Sequence, residues 1–161
     1  MIHRRRWMIG AAVASGVVAL GALVAWDAHR FTPPTAVPDL RDPQRIAAGA
    51  TIYASHCTAC HGVNLEGQPN WKERRLNGRM PAPPHDDSGH TWHHPNTVLF
   101  GITRNGMRPP LAPPGYESDM PAFAGVLTDD QIWSVLAYIQ SRWSPAIRER
   151  HAQLDRESHR N

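Results

Sequence analysis

An all-α domain of three to four short helices, preceded by a helix that spans a membrane, is the architecture this sequence predicts. Three observations carry it. Residues 7–26 contain no charged side chain; three later stretches show helical caps or helical apolar spacing; and nothing shows strand alternation or an internal repeat. The 161 residues suit one domain with appendages. With 15 prolines and 12 glycines, much of that domain must be turn and loop. The expected division is a membrane anchor at 1–26, a proline-rich linker at 27–42, a folded domain at 43–143 and a polar, charged tail at 144–161.

The anchor comes first. Trp7 to Trp26 is close to the roughly 20 residues a helix needs to cross the hydrocarbon core. Arg4, Arg5 and Arg6 precede it, which holds the N-terminus in the cytoplasm, and Trp7 and Trp26 bracket it as interfacial aromatics do. A cleaved signal peptide is the rival reading, but its apolar region usually runs only about 7–15 residues. Cleavage after Ala25 would place Leu23 at the −3 position, and cleavage after Ala28 would place Trp26 there; neither is small. The expectation is a single-pass anchor in a bacterial inner membrane, with the following domain in the periplasm.

Charge excludes one class of partner. The chain has 17 basic and 14 acidic residues, and Arg4, Arg5 and Arg6 are the basic residues that precede Asp27. Without those three, the remaining basic residues match the 14 acidic ones, so the part after the anchor is formally neutral. The basicity belongs to targeting, and nucleic-acid binding has no support.

The linker has three prolines and no helical period. Asp42-Pro43 then starts a helix, with Asp as N-cap and Pro at the first helical position. Ile46, Gly49, Ala50 and Tyr53 share one face, and this helix runs into Cys57. A second helix is predicted from about Pro95 to Arg104, with Leu99 and Ile102 inward and Asn105-Gly106 as its stop. The third has a capping box at Thr128 and Gln131, acidic Asp129 and Asp130 in its first turn, and a stripe of Ile132, Val135, Leu136 and Ile139. From Ser144 onward the chain reads as a short exposed helix or a disordered tail.

The chemistry is concentrated at Cys57-Thr58-Ala59-Cys60-His61. Two thiols separated by two residues and followed by histidine form the attachment pattern for c-type haem. Each thiol adds across one haem vinyl group, and the next residue offers its imidazole to the iron. A thioredoxin-like redox pair would want a βαβ pattern and a helix starting at the motif, whereas here a helix leads into it. A zinc site would want further ligands, yet Cys57 and Cys60 are the chain's 2 cysteines. A disulfide closing so tight a loop is seldom used structurally.

Further residues then make a family resemblance specific. The helix ending at the motif, Cys60-His61-Gly62, the segment Met120-Pro121-Ala122-Phe123 and the capped helix through Val135-Leu136-Ala137-Tyr138-Ile139 all resemble a class I cytochrome c domain over about residues 43–143. The resemblance implies haem c as cofactor, attached at Cys57 and Cys60, with His61 as proximal and Met120 as distal iron ligand. It also implies that Gly49 and Tyr53 cross Val135 and Tyr138. The other ring N–H of His61 should donate to a backbone carbonyl, and the resemblance implies a proline's, with Pro69, Pro81, Pro83 and Pro84 all open. Met80 and Met107 are the other methionines after the anchor, and an isolated methionine is ordinarily a core filler.

His85, His90, His93 and His94 share ten residues with Asp86 and Asp87. Either they bind a second metal such as copper or zinc, or they cap turns in a loop covering the haem; a bare cluster without ligand geometry favours the second. The resulting expectation is a one-electron carrier and not an enzyme, serving redox partner proteins from the membrane surface. The alternatives are a subunit of a membrane oxidase or dehydrogenase, and a copper-handling or sensing protein using the 85–94 loop.

Overall fold

The computed structural model describes residues 37–160. The expected membrane anchor and most of the linker fall outside the described residues. Among the described residues no helix is long and apolar enough to cross a membrane, and none forms a strand beyond one isolated bridge between Ala124 and Leu127. The all-α expectation holds.

Helix α1 spans Pro43–His56 and starts as its sequence dictates. The Asp42 carboxylate accepts from Gln44 N–H at 2.9 Å, and Pro43 occupies the first turn. A single further turn, α2 (Thr58–His61), carries the cysteine motif. Helix α3 (Asn96–Asn105) follows a 3-10 turn at Thr91–His93 and stops at Gly106. Its buried apolar residues are Leu99 and Phe100, with Ile102 only half-buried. Helix α4 (Asp129–Ser141) has both arms of its capping box: Gln131 N–H to Thr128 Oγ1 at 3.2 Å, and Thr128 N–H to Gln131 Oε1 at 2.8 Å.

The architecture turns on the crossing of α1 and α4. A Cβ built on Gly49 would lie 1.9 Å from the Ser134 carbonyl oxygen, so only glycine permits this approach. Tyr53 packs beside it, its ring 5.3 Å from that of Tyr138. The expected crossing is present, with Ser134 as the point of nearest backbone approach. Tyr53, Ile132 and Val135 are fully buried there, each contributing about 1.5–3 kcal/mol relative to exposure. Phe100 of α3 stacks on Trp133 of α4 at 4.4 Å, which joins the third helix to the pair.

The segment from Ser144 takes the helical one of its two expected forms, though it is not wholly exposed. It forms helix α5 (Pro145–Ser158), capped by Ser144 with Pro145 in the first turn. One face is docked. His151 is 3% exposed, hydrogen-bonds through Nε2 to the His94 carbonyl at 3.1 Å and meets the Trp143 ring at 4.9 Å. Asp155 accepts from Asn96 N–H and Asn96 Nδ2, both at 2.8 Å. The polar composition hid this contact, because the groups that dock are themselves polar.

Two expected results follow from α5. Asp155 does for α3 what no residue at its own N-cap does. Replacing it by alanine should cost about 1 kcal/mol, the usual loss for a removed cap, read as a shift in the urea midpoint. The second concerns pH. Burial pushes the pKa of His151 below the ordinary histidine value, against smaller upward effects of the His94 carbonyl and Asp155. The unfolded chain takes up a proton below about pH 6.5, while the folded chain resists it. The contribution of His151 is therefore complete above that pH and is lost as pH falls from there through the depressed folded-state pKa. The unfolding midpoint should drop between pH 7 and 5, and a His151→Gln variant should show a shallower drop.

Candidate haem site

Helical geometry places the motif. Cys57 ends α1, its N–H bonded to the Tyr53 carbonyl at 2.9 Å, and His61 N–H returns to the Cys57 carbonyl at 2.9 Å. Thr58 Oγ1 donates to Ala54 O at 2.9 Å and helps carry the helix across the junction. Residues three and four apart then lie on one face, so Cys57, Cys60 and His61 project to the same side. Cys57 is half-buried and Cys60 exposed, and the two form no disulfide. Burial, then the neighbouring Cys60, pushes the Cys57 thiol up to about 11.

His61 is 8% exposed. Its Nδ1 lies 2.9 Å from the Pro83 carbonyl, which chooses Pro83 among the four prolines considered. A carbonyl only accepts, so Nδ1 carries the proton and Nε2 keeps the lone pair. Burial holds the ring's pKa below its ordinary value, with the Pro83 bond acting the other way. The group is thus a neutral imidazole with its metal-binding nitrogen uncommitted.

The loop supplying Pro83 is pressed against the motif. Gly67, at φ +69, has no room for a side chain: a Cβ would lie 2.4 Å from Pro84 N. His85 N–H bonds to Leu65 O at 2.7 Å. The His85 ring stacks on His61, centroids 3.8 Å apart and planes 19° from parallel. Sequence reasoning grouped His85 with the histidine cluster and missed this contact; its position two residues after Pro83 was the available signal.

Met120 is half-buried and packs, with Cys57, against the main hydrophobic cluster. Its segment is tied to the end of α3, where helical carbonyls lack partners. Phe123 N–H donates to Thr103 O at 3.1 Å and Ala124 N–H to Arg104 O at 2.8 Å. The Phe123 ring meets His56, the residue before Cys57, edge-on at 6.1 Å. On the solvent side Asp119 pairs with Arg75 and Arg79. Met80 and Met107 are half-buried, and neither is among the residues that pack on that cluster.

Other residues of the histidine loop make structural bonds. Trp92 Nε1 donates to Asp87 O at 3.2 Å, the Asp87 carboxylate accepts from Ser144 N–H at 2.9 Å, and Trp143 Nε1 donates to His85 O at 2.8 Å. The loop is the cradle for the α4–α5 junction. Among the described residues no three His, Cys, Asp or Glu side chains form a group that could hold a metal ion, so the copper reading gains nothing from this arrangement. A cleft between residues 37–41 and α5 is lined by none of Cys57, Cys60, His61 or Met120.

The donor set fits a haem c. It offers two cysteines outside any disulfide and a neutral imidazole on one helical face, a buried apolar wall, and a thioether packed on the same wall. A family model described as Cytochrome c matches residues 46–143. A quinohemoprotein alcohol dehydrogenase from Comamonas testosteroni is 29% identical over 99 residues, which are 62% of this chain and 11% of that enzyme. The chain therefore spans a small part of that relative's length. No solved structure matches it. With most of the folded domain inside the matched region, the chain belongs to the cytochrome c family, is an electron-transfer protein and has covalently attached haem c as its cofactor.

Proposed function

We propose that this chain is a membrane-anchored, single-haem electron carrier on the periplasmic face of a bacterial inner membrane. The observation that carries the reading is His61, buried with Nδ1 committed to Pro83 and Nε2 uncommitted, one residue after the second thiol. In this reading Cys57 and Cys60 form the thioether links, His61 is the proximal ligand and Met120 the distal one. The haem supplies one-electron exchange between ferric and ferrous iron.

The chain's own residues do the rest. Pro83 orients His61 and raises its basicity as a ligand. The Thr103 and Arg104 carbonyls hold the Met120 segment, and Tyr53, Val135 and Ile139 keep the interior dry. A methionine sulfur favours the reduced iron and raises the potential relative to two histidines. With His61 and Met120 both holding the iron, no position would be left for a small substrate, which is why the proposal is a carrier and not an enzyme. The anchor at residues 7–26 would confine the search for donor and acceptor proteins to the membrane surface.

The likeness to part of an alcohol dehydrogenase favours a second reading, in which the domain is the electron entry or exit piece of a larger membrane dehydrogenase or oxidase. Co-purification from detergent-solubilised membranes separates the two: a lone chain supports the carrier, and a stable stoichiometric complex supports the subunit. Attachment is tested directly by a Cys57→Ala, Cys60→Ala double variant. Acid–acetone should extract its haem completely, whereas wild-type haem should stay with the chain. Haem retained by the double variant would rule out attachment at these thiols.

A further inference from the structure

We propose that His85 is a positioning residue for the haem, its ring serving as a stacking plate that fixes the plane of the His61 imidazole. The proposal rests on His61 being the iron's histidine and goes beyond that reading by assigning a role to the neighbouring ring.

A hydrogen bond from Nδ1 to Pro83 fixes one point of the His61 ring and leaves rotation about that axis open. A second constraint is needed to set the plane. His85 supplies it, lying 3.8 Å away and nearly parallel. It covers the face of His61 and so leaves the Nε2 edge available.

The plate is itself clamped. His85 Nδ1 is 2.6 Å from Thr91 Oγ1, a buried hydroxyl in the 3-10 turn. The backbone is held on both sides, His85 N–H by Leu65 O at 2.7 Å and His85 O by Trp143 Nε1 at 2.8 Å. The Tyr53 ring approaches edge-on at 6.3 Å, while its hydroxyl donates to Gly62 O at 3.0 Å. One loop thus delivers both restraints on His61, Pro83 through a hydrogen bond and His85 through its face. The orientation of an axial imidazole sets how the iron's unpaired electron is distributed over the ring, so this plate reaches spectroscopic and redox properties without touching the metal.

The test uses the full-length, haem-loaded protein and three substitutions. Readouts are the g-values of the oxidised protein by electron paramagnetic resonance, the order of the haem methyl resonances by NMR, and the midpoint potential. His85→Ala should move the g-values, reorder the methyls and lower the potential, since water entering beside His61 favours the more charged ferric state. His85→Phe keeps the stacking face and should restore the wild-type g-values and methyl order. A merely structural role would lower the melting temperature without this pattern of loss and rescue. Wild-type signals in His85→Ala, or a His85→Phe variant displaced as far as His85→Ala, would overturn the proposal. Should His85→Ala fail to acquire haem, His85→Leu decides in its place: it fills the site without a flat stacking face, so shifted signals support the proposal and wild-type signals refute it. The wild-type spectrum tests the ligation reading separately, so a null result in these variants counts against the plate alone.

Discussion

Replacing Met120 by alanine should turn a low-spin haem protein into one that binds carbon monoxide in the reduced state. Met120 is the methionine whose following residues Phe123 and Ala124 are tied to the end of α3 and whose side chain packs on the same cluster as Cys57. In the proposed ligation, its removal takes away the sulfur that favours ferrous iron. The midpoint potential should therefore fall by a sizeable part of the roughly 0.8 V over which axial ligands tune haem. The weak sulfur-to-iron absorption of the oxidised protein should vanish. The side chain is only half-buried, so the stability loss should be about 1–2 kcal/mol, below the range for full truncations in a core. Met80→Ala and Met107→Ala should leave spectrum and potential unchanged. If either of them opens the iron instead, the assignment of Met120 is wrong.

Gly49→Ala should be among the most damaging small substitutions in the described domain. The added carbon would fall 1.9 Å from the Ser134 carbonyl oxygen and 3.0 Å from Tyr138 Cβ. The first is backbone within α4 and cannot rotate away, so the two helices must separate. Overpacking typically costs about 1–3 kcal/mol, and a clash with helix backbone belongs at or above the top of that range. Separation would also loosen Tyr53, whose hydroxyl bonds the Gly62 carbonyl just after the motif. Chemical denaturation of the haem-loaded protein checks the stability loss, and the haem content of freshly matured protein checks the second effect. A variant as stable as wild type would mean that α1 and α4 do not cross at Gly49.

The four longer helices were not equally legible in the sequence. Those at Pro43–His56 and Asp129–Ser141 announced themselves through caps and apolar spacing, because their signals are local. The attachment motif was legible for the same reason: five consecutive residues carry it. The chosen proline was not, since four prolines stood within reach of His61 and only the fold selects Pro83. A short exposed helix was one of two readings open for α5, but its docked face was not legible. Its docking depends on His151, Asp155 and Trp143 meeting loop carbonyls and amides some 60 residues away in sequence, and polar contacts of that kind leave no periodic trace. His85 was hidden within a run of histidines that invited a metal reading. Its stacking on His61 arises from the turn at Leu65–Gly67 packing on Pro83–Pro84, a tertiary fact absent from composition.

The absorption spectrum of the full-length protein, produced with a c-type maturation system and recorded oxidised and reduced, tests the central claim most directly. The account requires covalent haem with a sharp low-spin reduced spectrum, the sulfur-to-iron band in the oxidised form, and no change on adding carbon monoxide. A high-spin spectrum, or one altered by carbon monoxide, would contradict it, because the iron would then have an open position and Met120 would not be its ligand.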